Sequence, residues 1–134
     1  MIRLNWRNEG EYKFTTNLSL YDWGWQFLKR SSEYLADWLE VNNPFHPGIA
    51  VWGASRISRR RARLLNQYGI ETVCYIDTKR NRQLDKMVRY YQDIPPPGEL
   101  FILTYIKQMN ARKEIQEFLN GRGYKEGFNY LLVS

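Results

Sequence analysis

Apolar positions in the first third of the chain recur at helical spacing. Leu20, Trp23, Phe27 and Leu28 fall at i, i+3, i+7 and i+8, and Ser19 ahead of Asp22 resembles a capping arrangement. Ser31 or Ser32 can cap a second helix carrying Tyr34, Leu35, Trp38 and Leu39, which ends by Asn42-Asn43-Pro44. The prolines at 44 and 47 then mark a hinge.

Beyond the hinge the pattern alternates between short apolar runs and helical periodicity. Residues 49–52 form a wholly apolar strand that runs into Gly53, after which Ile57, Leu64, Leu65 and Tyr68 recur with helical spacing up to Gly69. Residues 72–76 are β-branched and apolar and stop at Asp77, completing a βαβ unit whose strands should be parallel, adjacent and right-handedly connected. A polar, basic stretch leads to an irregular edge strand around Met87 to Tyr91. Pro95-Pro96-Pro97-Gly98 then breaks the chain before a buried strand at 100–105. Asn110 can cap a helix that carries Ala111, Ile115, Phe118 and Leu119 on one face, closed by Gly121 and Gly123; residues 128–133 form the last strand. The expected fold is a small three-layer α/β domain with a parallel sheet over residues 48–134, preceded by a helical arm over 1–47.

Composition supports one compact unit. Of 134 residues, 43% are hydrophobic and 16% aromatic, enough to offset chain entropy without disulfides or metals. The single cysteine, Cys74, sits in an apolar run and reads as a small buried hydrophobe. No run of about 18 apolar residues suggests a membrane span, and the first residues lack a signal-peptide pattern, so no membrane partner and a cytoplasmic location are expected. The net charge of +6 favours anionic partners: a nucleotide, another anionic small molecule, or nucleic acid.

The candidate chemistry centres on Gly53-Ala54-Ser55-Arg56-Ile57-Ser58. A dinucleotide turn places three glycines where Gly53, Ser55 and Ser58 stand: for tightness, for backbone approach to a pyrophosphate, and for packing of helix on strand. Two of the three are replaced here, and the hydroxymethyl group at 55 would sit roughly where a diphosphate oxygen belongs. Asp77, 24 residues beyond Gly53, stands where such folds place a ribose-binding carboxylate, and equally where an aspartate would cap a turn. The candidate ligand site is therefore Gly53, Ala54, Ser55, Arg56 and Asp77, with Arg59, Arg60, Lys79 and Arg80 as further phosphate or nucleic-acid contacts. Cations at a helix N-terminus are opposed by the macrodipole, so either a bound phosphate compensates for them or they line a solvated face.

Catalysis has little support. His46 lies in the hinge, no cluster has metal-ligand spacing, and Tyr75 with Lys79 straddles a strand end instead of sharing a helix face.

Two resemblances follow from these motifs. Residues 49–55, Tyr75-Ile76-Asp77, the 95–98 break and residues 123–130 resemble the Rossmann-like domains of nucleotide-sugar epimerase relatives and the accessory copies attached to bacterial glycosyltransferases. That likeness implies NAD(P) or another nucleotide as the ligand class. Trp6-Arg7, Tyr12, residues 23–30 and Glu33-Tyr34 resemble the transcriptional-regulator-like module of proteobacterial mobile-element proteins, across roughly residues 5 to 38. That second likeness implies a DNA-linked or regulatory role. The leading expectation is a non-catalytic nucleotide- or phosphate-ligand-binding module. The alternative is a basic, DNA-linked interaction protein that uses the fold as scaffold, with homo-oligomer contacts through the aromatic arm.

Overall fold

The computed structural model describes residues 20–79, 87–106 and 108–133, with side chains from residue 31 onward. Helix α1 (Leu20–Asn42) leads into strand β1 (Gly48–Trp52), helix α2 (Arg56–Asn66) and strand β2 (Glu71–Asp77). Strand β3 (Val88–Tyr90) and a short 3-10 turn at Tyr91–Asp93 follow. Strand β4 (Ile102–Thr104), helix α3 (Met109–Gly121) and strand β5 (Tyr130–Leu132) complete the chain.

The five strands form one sheet in the order β3-β2-β1-β4-β5, and every pairing is parallel. A parallel sheet needs cover on both faces, and alternation along the strands supplies apolar residues to each. Ile49, Val51, Leu103 and Leu131 pack with Leu35, Ala36 and Leu39 of α1 and Ala62 and Leu65 of α2. On the opposite face Ala50, Trp52, Ile102 and Leu132 pack with Ile115 and Leu119 of α3 and with Ile94 from the connection before β4. Three layers result, consistent with a Rossmann-like domain.

The expected pair of N-terminal helices is one helix through the region where the second was to begin. Ser31 and Ser32 do not cap; both lie inside α1 and are buried, at 7% and 5% exposure. Serine is only mildly unfavourable within a helix, no proline interrupts 20–42, and burial of the face containing Leu35 and Leu39 decides the outcome. The expected Ser19 cap lies outside the described residues. The 44–47 segment is a hydrogen-bonded turn. Buried Asn43 donates from Nδ2 to the Gly48 carbonyl (3.0 Å) and accepts at Oδ1 from the Phe45 amide (2.8 Å).

Other local readings shift by a residue or two. Asn110 is not a cap: α3 starts at Met109 behind Gln108, whose side chain makes no capping bond. Ile57 does not join the core face of α2 and is 69% exposed, because Ser58, Ala62 and Leu65 occupy the inward i, i+4, i+7 positions. Phe128 precedes β5 in a turn, is exposed, and lies under the Lys125 ammonium at 4.6 Å.

Leu39 is fully buried against the sheet, so Leu39→Ala should cost about 2–5 kcal/mol in urea unfolding. A loss below about 1 kcal/mol would mean that α1 is not part of the core.

Candidate functional site

β1 ends at Trp52 and the chain reverses at Gly53, whose φ of 113° lies in a region that side-chain-bearing residues rarely adopt. The Gly53 amide donates to the Ile76 carbonyl at 2.7 Å, which ties the turn to the end of β2. A Cβ added to Gly53 would lie 2.6 Å from Ser58 Oγ. The position therefore needs glycine both for conformation and for close approach.

The two serines that replace glycines form a small hydroxyl bridge. Ser55 is the N-cap of α2, and its Oγ accepts from the Ser58 amide at 3.3 Å. The Ser55 and Ser58 hydroxyls are also 3.3 Å apart. One of the helix's orphan N–H groups is thus satisfied within the chain. Ser58 is buried at 6% exposure and fills the helix–strand contact where a third glycine would leave space.

Around this turn lies an open cleft of about 370 Å³. Trp52, Gly53, Ala54, Ser55 and Ser58 form one wall, and Ile76, Asp77, Thr78 and Lys79 a second. Ile106, together with Ala111, Glu114 and Ile115 of α3, closes the third side. All of these elements meet at the carboxyl ends of β1, β2 and β4. β1 pairs with both β2 and β4, so the helices that follow β1 and β4 leave on opposite faces, at the topological switch where open α/β sheets take ligands.

Of the expected ligand residues, Gly53, Ala54, Ser55 and Asp77 are brought together on this cleft, with Lys79 beside them. Asp77 Oδ1 accepts from the Lys79 amide at 3.0 Å, which realises the turn-capping geometry while keeping the residue on the rim. The arginines go elsewhere. Arg56 and Arg60 are exposed and do not line the cleft. Arg59 donates from Nε to the Ala54 carbonyl at 3.0 Å and stacks 4.5 Å over Tyr75, on the sheet face opposite α3. Arg80 lies outside the described residues.

Arg61, on the same side as Arg59, sits 4.7 Å over the Tyr105 ring. Burial pushes the Tyr105 hydroxyl well above its ordinary range and lowers the Arg61 guanidinium from its usual value, so the pair is a packing contact of the interior. Burial also raises the Cys74 thiol above its ordinary value, and the side chain is a free, buried cysteine. Tyr90 and Tyr91 are half-buried and meet edge to face with ring centroids 4.9 Å apart; Tyr91 also meets Trp52 and Phe118. Among the described residues no three His, Cys, Asp or Glu side chains gather as a metal-binding group, and no helix is long and apolar enough to cross a membrane.

Sequence reasoning missed Glu114, Ile106 and Ile115, since their place depends on β4 lying next to β1. It also missed Thr104. This last residue of β4 is fully buried, and its Oγ1 has no hydrogen-bond partner among the described residues. Thr104 is the register partner of Trp52, and strand alternation from Ile102 places it on the α3 face. An unsatisfied buried hydroxyl costs about 1–3 kcal/mol, so Thr104 leaves an unspent polar group in the interior on the α3 side of the sheet.

Residues 5–70 match the family model of a proteobacterial transcriptional regulator-like domain. The match runs past the arm and takes in α1, β1 and α2, the three elements that pack around one face of the core. No curated protein and no solved structure matches the chain.

Gly53→Ala should destabilise the chain by about 2–4 kcal/mol, since both strain and the clash with Ser58 apply. Gly69→Ala, at φ 87° with nothing within 4 Å, should cost only about 1 kcal/mol. Equal losses in denaturant unfolding would contradict the close approach at Gly53.

Proposed function

We propose that the chain is a non-catalytic regulatory module that holds a nucleoside- or nucleotide-type ligand in the cleft at the carboxyl ends of β1, β2 and β4. The observation that carries this reading is the convergence of Gly53, Ser55 and Asp77 on one open cleft at the switch point of a parallel sheet. In this reading the domain is a degenerate Rossmann-like fold, with Asp77 accepting from ribose hydroxyls and the Ser55–Ser58 turn facing the far end of the ligand. The surfaces of Ile106 and Ala111 supply the apolar contacts that such a ligand needs.

Among the described residues the lining has a carboxylate on each of two walls, Asp77 and Glu114, and a cation, Lys79. Such a balance suits the hydroxyl-rich end of a nucleotide better than a diphosphate. It also separates this cleft from the pyrophosphate seat of intact glycine turns, where three glycines leave the helix amides open.

A second reading is favoured by the regulator-like match over residues 5–70 and the net charge of +6: a DNA-linked regulatory protein in which the α/β domain is scaffold. Thermal melts with adenosine, AMP, NAD, NADP and nucleotide sugars at millimolar concentration distinguish the two. We expect at least one ribose-bearing compound to raise the melting temperature, and Asp77→Ala to weaken its binding about tenfold or more while leaving the fold intact. No stabilisation by any of them, with salt-dependent retention of duplex DNA, would replace the first reading with the second.

A further inference from the structure

The arginines that turn away from the cleft stand in a stripe. Arg56, Arg60 and Arg63 recur at i, i+4 and i+7 along α2, and all three are exposed. On α1, Glu33, Asp37 and Glu40 recur at the same spacing and are also exposed. One helix thus presents an acidic stripe and its neighbour a basic one with identical periodicity. Tyr34, Val41 and Ile57 follow Glu33, Glu40 and Arg56 by one residue and are 42%, 82% and 69% exposed, so apolar surface flanks both stripes.

The fold sets these stripes in register. α1 and α2 cover the same face of the sheet, and each leads through a short turn into a strand: α1 into β1 and α2 into β2. β1 and β2 are parallel, so both helices run in the same direction and end at the same edge of the sheet. Glu40 lies two residues before the end of α1 and Arg63 three before the end of α2. That difference is about 1.5 Å along the axis.

We propose that this face is the contact between two copies of the chain, related by a two-fold axis parallel to the helices, with the acidic stripe of α1 lying along the basic stripe of α2 in the second copy. Such an axis lays each α1 over the opposite α2 without reversing its direction, so Glu33 faces Arg56, Asp37 faces Arg60 and Glu40 faces Arg63, twice over. The arrangement also answers an electrostatic cost within one chain. α2 has no acidic residue in its first turn while Arg56 and Arg59 sit near its positive end, and carboxylates from the second copy supply the missing negative charge. Single exposed ion pairs contribute little, and six in register mainly select the partner and the alignment. The flanking apolar residues and the groove lined by Tyr34, Trp38 and Val41 supply the area to bury. This inference does not rest on the ligand reading.

The test is the solution mass of the full chain and of two charge-reversed versions, measured by light scattering and sedimentation. The native chain should be a dimer whose dissociation constant rises about tenfold or more from low to high salt. Glu33→Lys/Asp37→Lys/Glu40→Lys and Arg56→Glu/Arg60→Glu/Arg63→Glu should each be monomeric. Mixed together they should form a heterodimer, since one then carries two basic helices and the other two acidic ones. Should a triple variant fail to fold by circular dichroism, the single exchanges Asp37→Lys and Arg60→Asp replace them, with the same expected rescue on mixing. A native chain that is monomeric at low salt, reversed variants that remain dimeric, or a folded pair that does not associate would each overturn the proposal.

Discussion

The structure depends on one strand being buried on every side. β1 hydrogen-bonds to β2 along one edge and to β4 along the other, and residues 49–52 are at most 3% exposed. The backbone polar groups of a strand enclosed in this way are out of reach of water and must be paired within the protein up to its last residue. Gly53 does this by adopting φ 113° and donating its amide to Ile76, which frees the chain to enter α2 at Ser55. The cleft and the separation of the two helical layers both originate at that reversal.

The same turn explains why this rim differs from an intact glycine-rich one. Where backbone approach would need bare glycine, Ser55 and Ser58 bond to each other and hold a helix amide that a phosphate would otherwise claim. The α2 cations that could restore anion affinity are turned outward: Arg59 lies on Tyr75, and Arg56 and Arg60 face away from the cleft. The basic character of α2 is therefore a property of the outer helical layer, and among the described residues the cleft takes its character from Asp77, Glu114, Lys79 and apolar surface.

Much of the architecture was legible because it rests on local pattern. The apolar run at 49–52, the β-branched run at 72–76 and the glycine between strand and helix each point to one element, and all five strands and their parallel sense follow that logic. Readings failed where tertiary burial outweighed local chemistry. Ser31 and Ser32 have the side chains of caps but are drawn into a helix whose face is core, and Ile57 is apolar yet one helical step from the inward stripe. The candidate site was legible on the β1 and β2 side, where motif spacing fixes position. Its α3 side was not, because nothing local in Glu114 or Ile115 reveals that β4 lies beside β1.

The central claim is that β1 is the inner strand of a parallel sheet and that the chain reverses at Gly53. Backbone NMR of the intact chain tests it most directly. The account predicts cross-strand contacts from Val51 to both Tyr75 and Leu103, together with couplings at Gly53 that require positive φ. Contacts from Val51 to only one of these strands, or helical couplings continuous through residue 53, would contradict it.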